Sequence, residues 1–247
     1  MTVTAAKGVL SFGAQPSKGT LATTWYKHRA MMIDLDVIDE TREGAPEVGG
    51  IPVPTFPYKS GPIVGGGFTL QPRFIESLGW ILHGMMGDVD SNVDDYDADI
   101  YDHTFKFLST DSAFVPWMSF RKTIPGSEGD STSDLGQVFK DCKIIGGTLV
   151  LPNSEPLTMR VDVLGREFAL DHAPDQWTHH NAEFEHWESI PVACQTGGFL
   201  KIDGTELPVV AATIGFQNVP LDIRQERIYG DPFIEDVTIV QRRLAYD

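Results

Sequence analysis

Asp88, Asp90 and Asn92 open the stretch GDVDSNVDDYDADIYDHTF as D-x-D-x-N, the spacing of the first three oxygen ligands of a calcium loop. Asp99 stands at the twelfth position, so a cation would be held by Asp88, Asp90, Asn92 and Asp99. Two features weigh against that site. The sixth position needs glycine for its sharp turn and is Val93; the twelfth needs a bidentate glutamate and is an aspartate. The seven aspartates of 88–102 therefore read first as a solvated, self-repelling acidic loop, with calcium as the alternative.

The other residues capable of chemistry are fewer. His179, His180 and His186 lie near Glu183, Glu185 and Glu188 in WTHHNAEFEHWE, but neither H-x₂-E nor H-x₅-H is a zinc spacing and no H-E-x-x-H occurs. GPIVGGGF is rich in glycine yet lacks the lysine of a phosphate loop and the parallel strand–helix–strand rhythm around it. No G-x-S-x-G is present. Cys142 and Cys194 are too few and too far apart for a disulfide scaffold and read as reduced, buried thiols. Nothing here argues for an enzyme, and no cofactor is expected.

The elements that would carry these residues are mostly strands. Residues 1–24 are small and polar and read as an N-terminal arm, with a single domain over 25–247. In MMIDLDVID, Met31, Ile33, Leu35 and Val37 alternate with polar residues, the period of a half-buried strand. Residues 39–67 hold five prolines and seven glycines, a density that predicts a long loop rather than a helix or central strand. Its apolar residues Ile51, Val53, Phe56, Tyr58, Ile63 and Val64 suit a loop that docks on another subunit. A helix is predicted over about 72–86: Pro72 suits its first turn, Phe74, Leu78, Ile81, Leu82 and Met85 recur at helical spacing, and Gly87 ends it. Thereafter HTFKF, FVPWMSFRK, KIIGGTLVLP, LTMRVDVLG, FLKIDGTELPVV, VVAATIGFQN and FIEDVTIVQRRL follow one another as strands, with Asp203-Gly204 as a hairpin turn. The fold expected is mainly β, an antiparallel β-sandwich or barrel with one flanking helix.

Charge narrows the function classes. With 19 basic and 35 acidic residues the chain carries −16, which disfavours tight binding to nucleic acid through phosphate neutralisation. No apolar run reaches the roughly 20 residues of a membrane-spanning helix, and the N-terminus lacks a signal-peptide pattern, so synthesis in a cytoplasm is expected.

The ordered series of segments resembles the tail tube proteins of long-tailed bacteriophages. The likeness runs through GGGFTLQPRFIESLGWILHGMMGDV, HTFKF, VPWMSFRK, FKDCKIIGGTLVLPNSEPLTMRVDVLGRE and VVAATIGFQNVPLDIRQERIYGDPFIEDVTI, spanning about 25–170 and 205–247. Segment 171–200 fits the pattern poorly, and the acidity of 88–102 belongs to this chain alone. The resemblance implies a non-enzymatic virion protein that forms six-membered rings stacked into a hollow tube, with a fold shared with the type VI secretion tube protein. It also implies passage of DNA without specific binding, tape-measure and tail terminator proteins as partners, a long loop reaching neighbouring subunits, and a place in the virion tail after synthesis in the host. Two other classes remain open on the residues themselves. One is a calcium-dependent β-sandwich module that binds carbohydrate through D-x-D-x-N and exposed aromatics such as Trp177 and Trp187. The other is a hydrolase built on His179, His180 and His186.

Overall fold

A computed structural model describes residues 8–43, 57–93, 101–107, 115–126, 134–152, 155–181, 200–202, 205–207 and 211–246. The first strands in chain order are β1 (Leu10–Ala14), β2 (Tyr26–His28), β3 (Ala30–Ile33), β4 (Asp36–Glu43) and β5 (Pro57–Leu70). Helix α1 (Ser77–Met86) follows, then β6 (Gly87–Val93), β7 (Tyr101–Phe107), β8 (Met118–Ile124), β9 (Leu135–Leu151) and β10 (Thr158–Asp171). The chain continues with β11 (Leu200–Ile202), β12 (Thr205–Leu207), β13 (Ala212–Pro220) and β14 (Ile239–Tyr246). The protein is mainly β, with every named strand pairing antiparallel.

Ten strands make one sheet that curls into a nearly closed barrel. Strand β9 is long enough to serve two layers. Its first half pairs with β8, its second half with β13, and β10 runs along its other side. One layer is thus β2-β1-β8-β9-β10 and the other β14-β13-β9-β10-β5, with β3 and β4 in succession beside β5. Residues 26–33 pass from pairing with β1 to pairing with β5, and that passage brings the ends of the sheet together. Inside lie Phe12, Phe68, Phe120, Phe139, Met159 and Val161 with Ile81 and Met85 of the helix, all fully or almost fully buried. The alternation read in 157–163 is the inner face of β10 and the residue before it: Leu157, Met159, Val161 and Val163 all point into the core. A second apolar cluster, Val115, Leu164, Ile234, Val237 and Ile239, sits under residues 221–239.

Several expectations are corrected. The segment read as an arm contains β1, whose Leu10 and Phe12 are core residues. The described parts of the long Pro/Gly-rich segment, 39–43 and 57–67, are strand rather than loop. Residues 57–67 belong to β5, which among the described residues pairs with β4 alone up to Ile63 and gains β10 on its other side from Val64 onward. Pro57 and Pro62 are tolerated because they precede Val64, where β10 joins, and so lie in a stretch paired on one side alone. The glycines answer a second need. Gly66 has φ +104, and a Cβ at Gly67 would collide with the Val161 carbonyl oxygen. The Gly67 carbonyl accepts from the amides of Asp34 and Leu35, both at 2.9 Å, where the chain turns from β3 to β4.

That turn also splits the strand read over 31–37 into two, and the register shift at Ala30/Met32 leaves Met31 outside rather than in the core. The helix begins later than Pro72. A wide turn comes first, in which the Leu78 amide donates to the Arg73 carbonyl at 3.0 Å and the Arg73 amide to Ser77 Oγ at 2.9 Å. Phe74 consequently lies off the helix and is 76% exposed. The helix ends as expected, with Gly87 left-handed at φ 88.

Candidate functional site

The residues singled out for a cation stand on a ribbon. Among the described residues β6 and β7 pair only with each other, from Gly87 opposite Phe107 to Val93 opposite Tyr101. Of the stretch expected to be a solvated loop, the described residues 88–93 and 101–102 are extended strand. Side chains two apart on a strand share a face but stand about 6.8 Å from one another, which puts Asp88 and Asn92 about 14 Å apart. A calcium loop must instead wrap its ligands around one point. Asp88, Asp90 and Asn92 line the same face as Lys106, Thr104 and Asp102, and Lys106 comes within 3.9 Å of Asp90. Asp99 lies outside the described residues. Among the described residues no three His, Cys, Asp or Glu side chains converge as metal ligands.

The histidines are placed by their backbone. The Lys27 amide donates to the His180 carbonyl at 2.9 Å and the His180 amide to the Trp25 carbonyl at 2.7 Å, so 180 extends the sheet beyond β2. The His180 ring stacks on Tyr26. His179, the preceding residue of an extended chain, projects to the opposite side and packs edge-on to Trp177, where burial lowers its pKa. His186, Glu183, Glu185, Glu188 and Trp187 lie outside the described residues. Trp177 is not an open sugar-stacking platform: its Nε1 donates to Asp171 Oδ2 at 2.7 Å, and it packs against Ala22, Trp25 and Val138. Arg121 lies over both indoles, 3.7 Å from the Trp25 ring centre and 5.1 Å from that of Trp177. Cys142 is buried and its thiol pKa is pushed up by burial, as expected of an inert core thiol; Cys194 lies outside the described residues.

Of the six residues expected at subunit contacts, Ile51, Val53 and Phe56 lie outside the described residues. Tyr58 takes its place in β5 opposite Arg42, and its side chain is likewise outside them. Val64 is consumed by the chain's own core, and Ile63 packs partly against the second cluster.

The surface that remains is made of strand edges, and the sequence reading did not isolate it. Among the described residues β14 pairs only with β13, and β4 only with β5. Each leaves a row of backbone donors and acceptors open along one side, the usual template for a further strand. The two edges differ in sign. β4 carries Asp36, Asp39, Glu40 and Glu43 against Arg42 alone, whereas β14 carries Arg242 and Arg243 and no acid. The signal was legible as charge but not as an edge, because pairing order cannot be read from a list of strands.

The basic edge is rigidly seated. Asn218 of β13, buried, donates from Nδ2 to the carbonyls of Met85 at 3.1 Å and Ile144 at 2.9 Å and accepts from Arg242 Nε at 3.1 Å. Arg242 Nη2 in turn donates to the carbonyls of Met85 at 3.0 Å and Met86 at 3.1 Å. The open carbonyls at the helix C-terminus are thereby tied to β13 and β14, a placement the helix dipole favours for a cation.

Residues 221–239 are fixed beneath this layer by cations reaching backbone oxygens. Lys143 Nζ donates to the Val237 carbonyl at 2.8 Å, and Arg166 Nε to that of Ile234 at 2.5 Å. Arg166 also pairs with the fully buried Asp141, at 3.2 Å.

No family model matches the chain, and no curated protein matches it. Among solved structures it is similar to one described as the crystal structure of Hcp protein, with 11% identity, a TM-score of 0.29, and 69% of this chain and 94% of that chain covered. A superposition that loose does not define a shared fold.

Proposed function

We propose that the chain is a structural protein whose copies join edge to edge into rings that stack as a hollow tube. The observation that carries this reading is the pair of open, oppositely charged edges, β14 and β4, at the two ends of one layer. A contact between unlike edges is heterologous, so it repeats from copy to copy and closes into a ring when the rotation permits. Ring closure would also cover both edges, which a lone subunit leaves exposed.

The resemblance of the sequence to phage tail tube proteins supplies the finer reading. The rings are six-membered, the tube belongs to a virion tail, and DNA passes through its bore. A chain of −16 gives phosphates little to hold them during passage. The connection between β4 and β5, with Ile51, Val53 and Phe56, contacts a neighbouring subunit or ring, and tape-measure and terminator proteins meet the tube at its interior and end. The calcium module loses its support with the extended geometry of Asp88, Asp90 and Asn92 and the packing of Trp177 against Ala22, Trp25 and Val138.

Negative-stain electron microscopy of the concentrated protein tests the reading. Rings or hollow tubes are the expected result. A protein that stays monomeric at every concentration, and remains so when offered preformed ring ends as nuclei, would refute it.

A further inference from the structure

The layer that ends in β14 and β4 has two unlike faces. Phe68, Val161 and Phe216 point to the core, where Ile81 of α1, Phe12 of β1 and Phe120 of β8 meet them. The residues between them point the other way. Thr69, Arg160, Thr148 and Gly215 stand side by side across four strands, and Gly67, Asp162, Gly146 and Gln217 form the next row. This second face is small, polar and open: the side chains of Asp34 and Asp162 beside Arg160 are 49% and 47% exposed. Its exposed apolar residues, Met32 of β3 and Val150 of β9, lie on strands that are not neighbours and make no patch for a protein partner to bury. Residues 221–239 cover only its far end, over Leu164 and Ile63, and bring five acids against two arginines.

Arg160 is the cation at the centre of this face, and it is closed off. Its Nε donates to Asp162 Oδ1 at 3.0 Å, its Nη2 donates to Asp34 Oδ2 at 2.9 Å, and its Nη1 lies 2.8 Å from Asp34 Oδ1. Two carboxylates on one guanidinium leave the cluster net negative. The face's other strand cation, Arg243, stands opposite Gln217 at the β14 edge, where the edge-to-edge reading gives it to the acids of β4. We propose that this face lines the bore of the ring, and that Asp34 and Asp162 neutralise Arg160 so that passing double-stranded DNA is not held there by its phosphates. The inference rests on the edge-to-edge reading, and geometry then sets which face turns inward. Layers joined edge to edge fill the circumference at their own radius. The strands β1, β2 and β8 lie behind the core face and need a circumference of their own, which exists only further out. The open face is left to the inside. Retention of DNA requires cations free to displace counterions from phosphate, and the paired Arg160 is not free.

The test has two arms, both on the full chain. The first places a cysteine on the open face, Thr148→Cys and separately Thr213→Cys, and another on the far side, Leu21→Cys, beside the segment that packs on β8. Tubes are treated with a small maleimide and with one carrying a polyethylene glycol chain too bulky to thread the bore. The bulky reagent should label Leu21→Cys in tubes, but should label both threonine variants at least tenfold less in tubes than in dissociated subunits. The unmodified chain, with its own Cys142 and Cys194, sets the background. The second arm assembles tubes with a short DNA duplex and digests what lies outside with nuclease. Asp34→Asn combined with Asp162→Asn should protect at least threefold more duplex than the unmodified chain, and adding Arg160→Gln should remove the gain. Tubes whose threonine variants take the bulky reagent freely would overturn the bore face and leave the edge-to-edge reading standing. A protected face with no gain in duplex would overturn the role of the two aspartates, and a chain that forms no rings would overturn both readings.

Discussion

Asn218 holds three elements through one side chain. Its amide reaches the last turn of α1 and the middle of β9, while its oxygen orients Arg242 of β14. Replacing it with alanine leaves a buried cavity and weakens three hydrogen bonds, at about 2–3 kcal/mol. Asn218→Ala should therefore lower the melting temperature by roughly 5–10 °C, measured by circular dichroism. An unchanged melting curve would remove Asn218 as an anchor. The sequence marks this residue only as one polar position beside Gln217 in a mostly apolar strand, a signal common to many strands. The glycines of GPIVGGGF were plainly visible, but their purpose was not. Composition reveals flexibility, whereas the requirement met at Gly67 is the approach of the Val161 carbonyl from a strand more than 90 residues later.

At the level of elements, α1 was legible because its apolar spacing and its terminating glycine are local properties. Its start was not, because a wide turn over 73–78 uses residues equally suited to a helix. β5 was hidden by its prolines and glycines, whose cost depends on what lies opposite them in the ladder. The helix also carries a titratable weakness. His83, half-buried beside Trp80, has its pKa lowered by burial despite the opposing pull of Asp88. A base whose folded pKa is depressed takes up protons more readily when unfolded. Its stability contribution is present above the unfolded value of about 6.5 and is lost as pH falls toward the folded value. Denaturant midpoints should thus drop between pH 7.5 and 5.5, and His83→Leu should flatten part of that slope. An identical slope in the variant would clear His83 of the effect.

For the whole molecule, the fold class was legible from alternation and turn signals, while the order of strands was not. The edges and the ribbon depend on that order, so the candidate site was largely invisible in the sequence. The opposite signs of β4 and β14 give the assembly a testable electrostatic logic. Arg243→Glu or Glu43→Lys alone should weaken ring formation about tenfold or more, and the two together should restore part of it. Sedimentation velocity at several salt concentrations would measure this, with wild-type assembly weakening as salt screens the edges. Equal assembly by all variants would show that the edges do not meet.

The branching of β9 between two layers also has a mechanical consequence. In a closed ring, hoop tension entering at β4 would leave at β14, crossing every ladder between them in series: β5, β10, β9, β13. The load acts across the strands, so each ladder resists in proportion to its length. The β9–β10 ladder extends from Thr158 to Asp171, but β13 meets β9 only from Ala212 to Gln217. Of the ladders in series within the subunit the β9–β13 seam is the shortest, six pairs against seven for β4–β5, β5–β10 and β13–β14, so a subunit stretched in the ring would begin to part there.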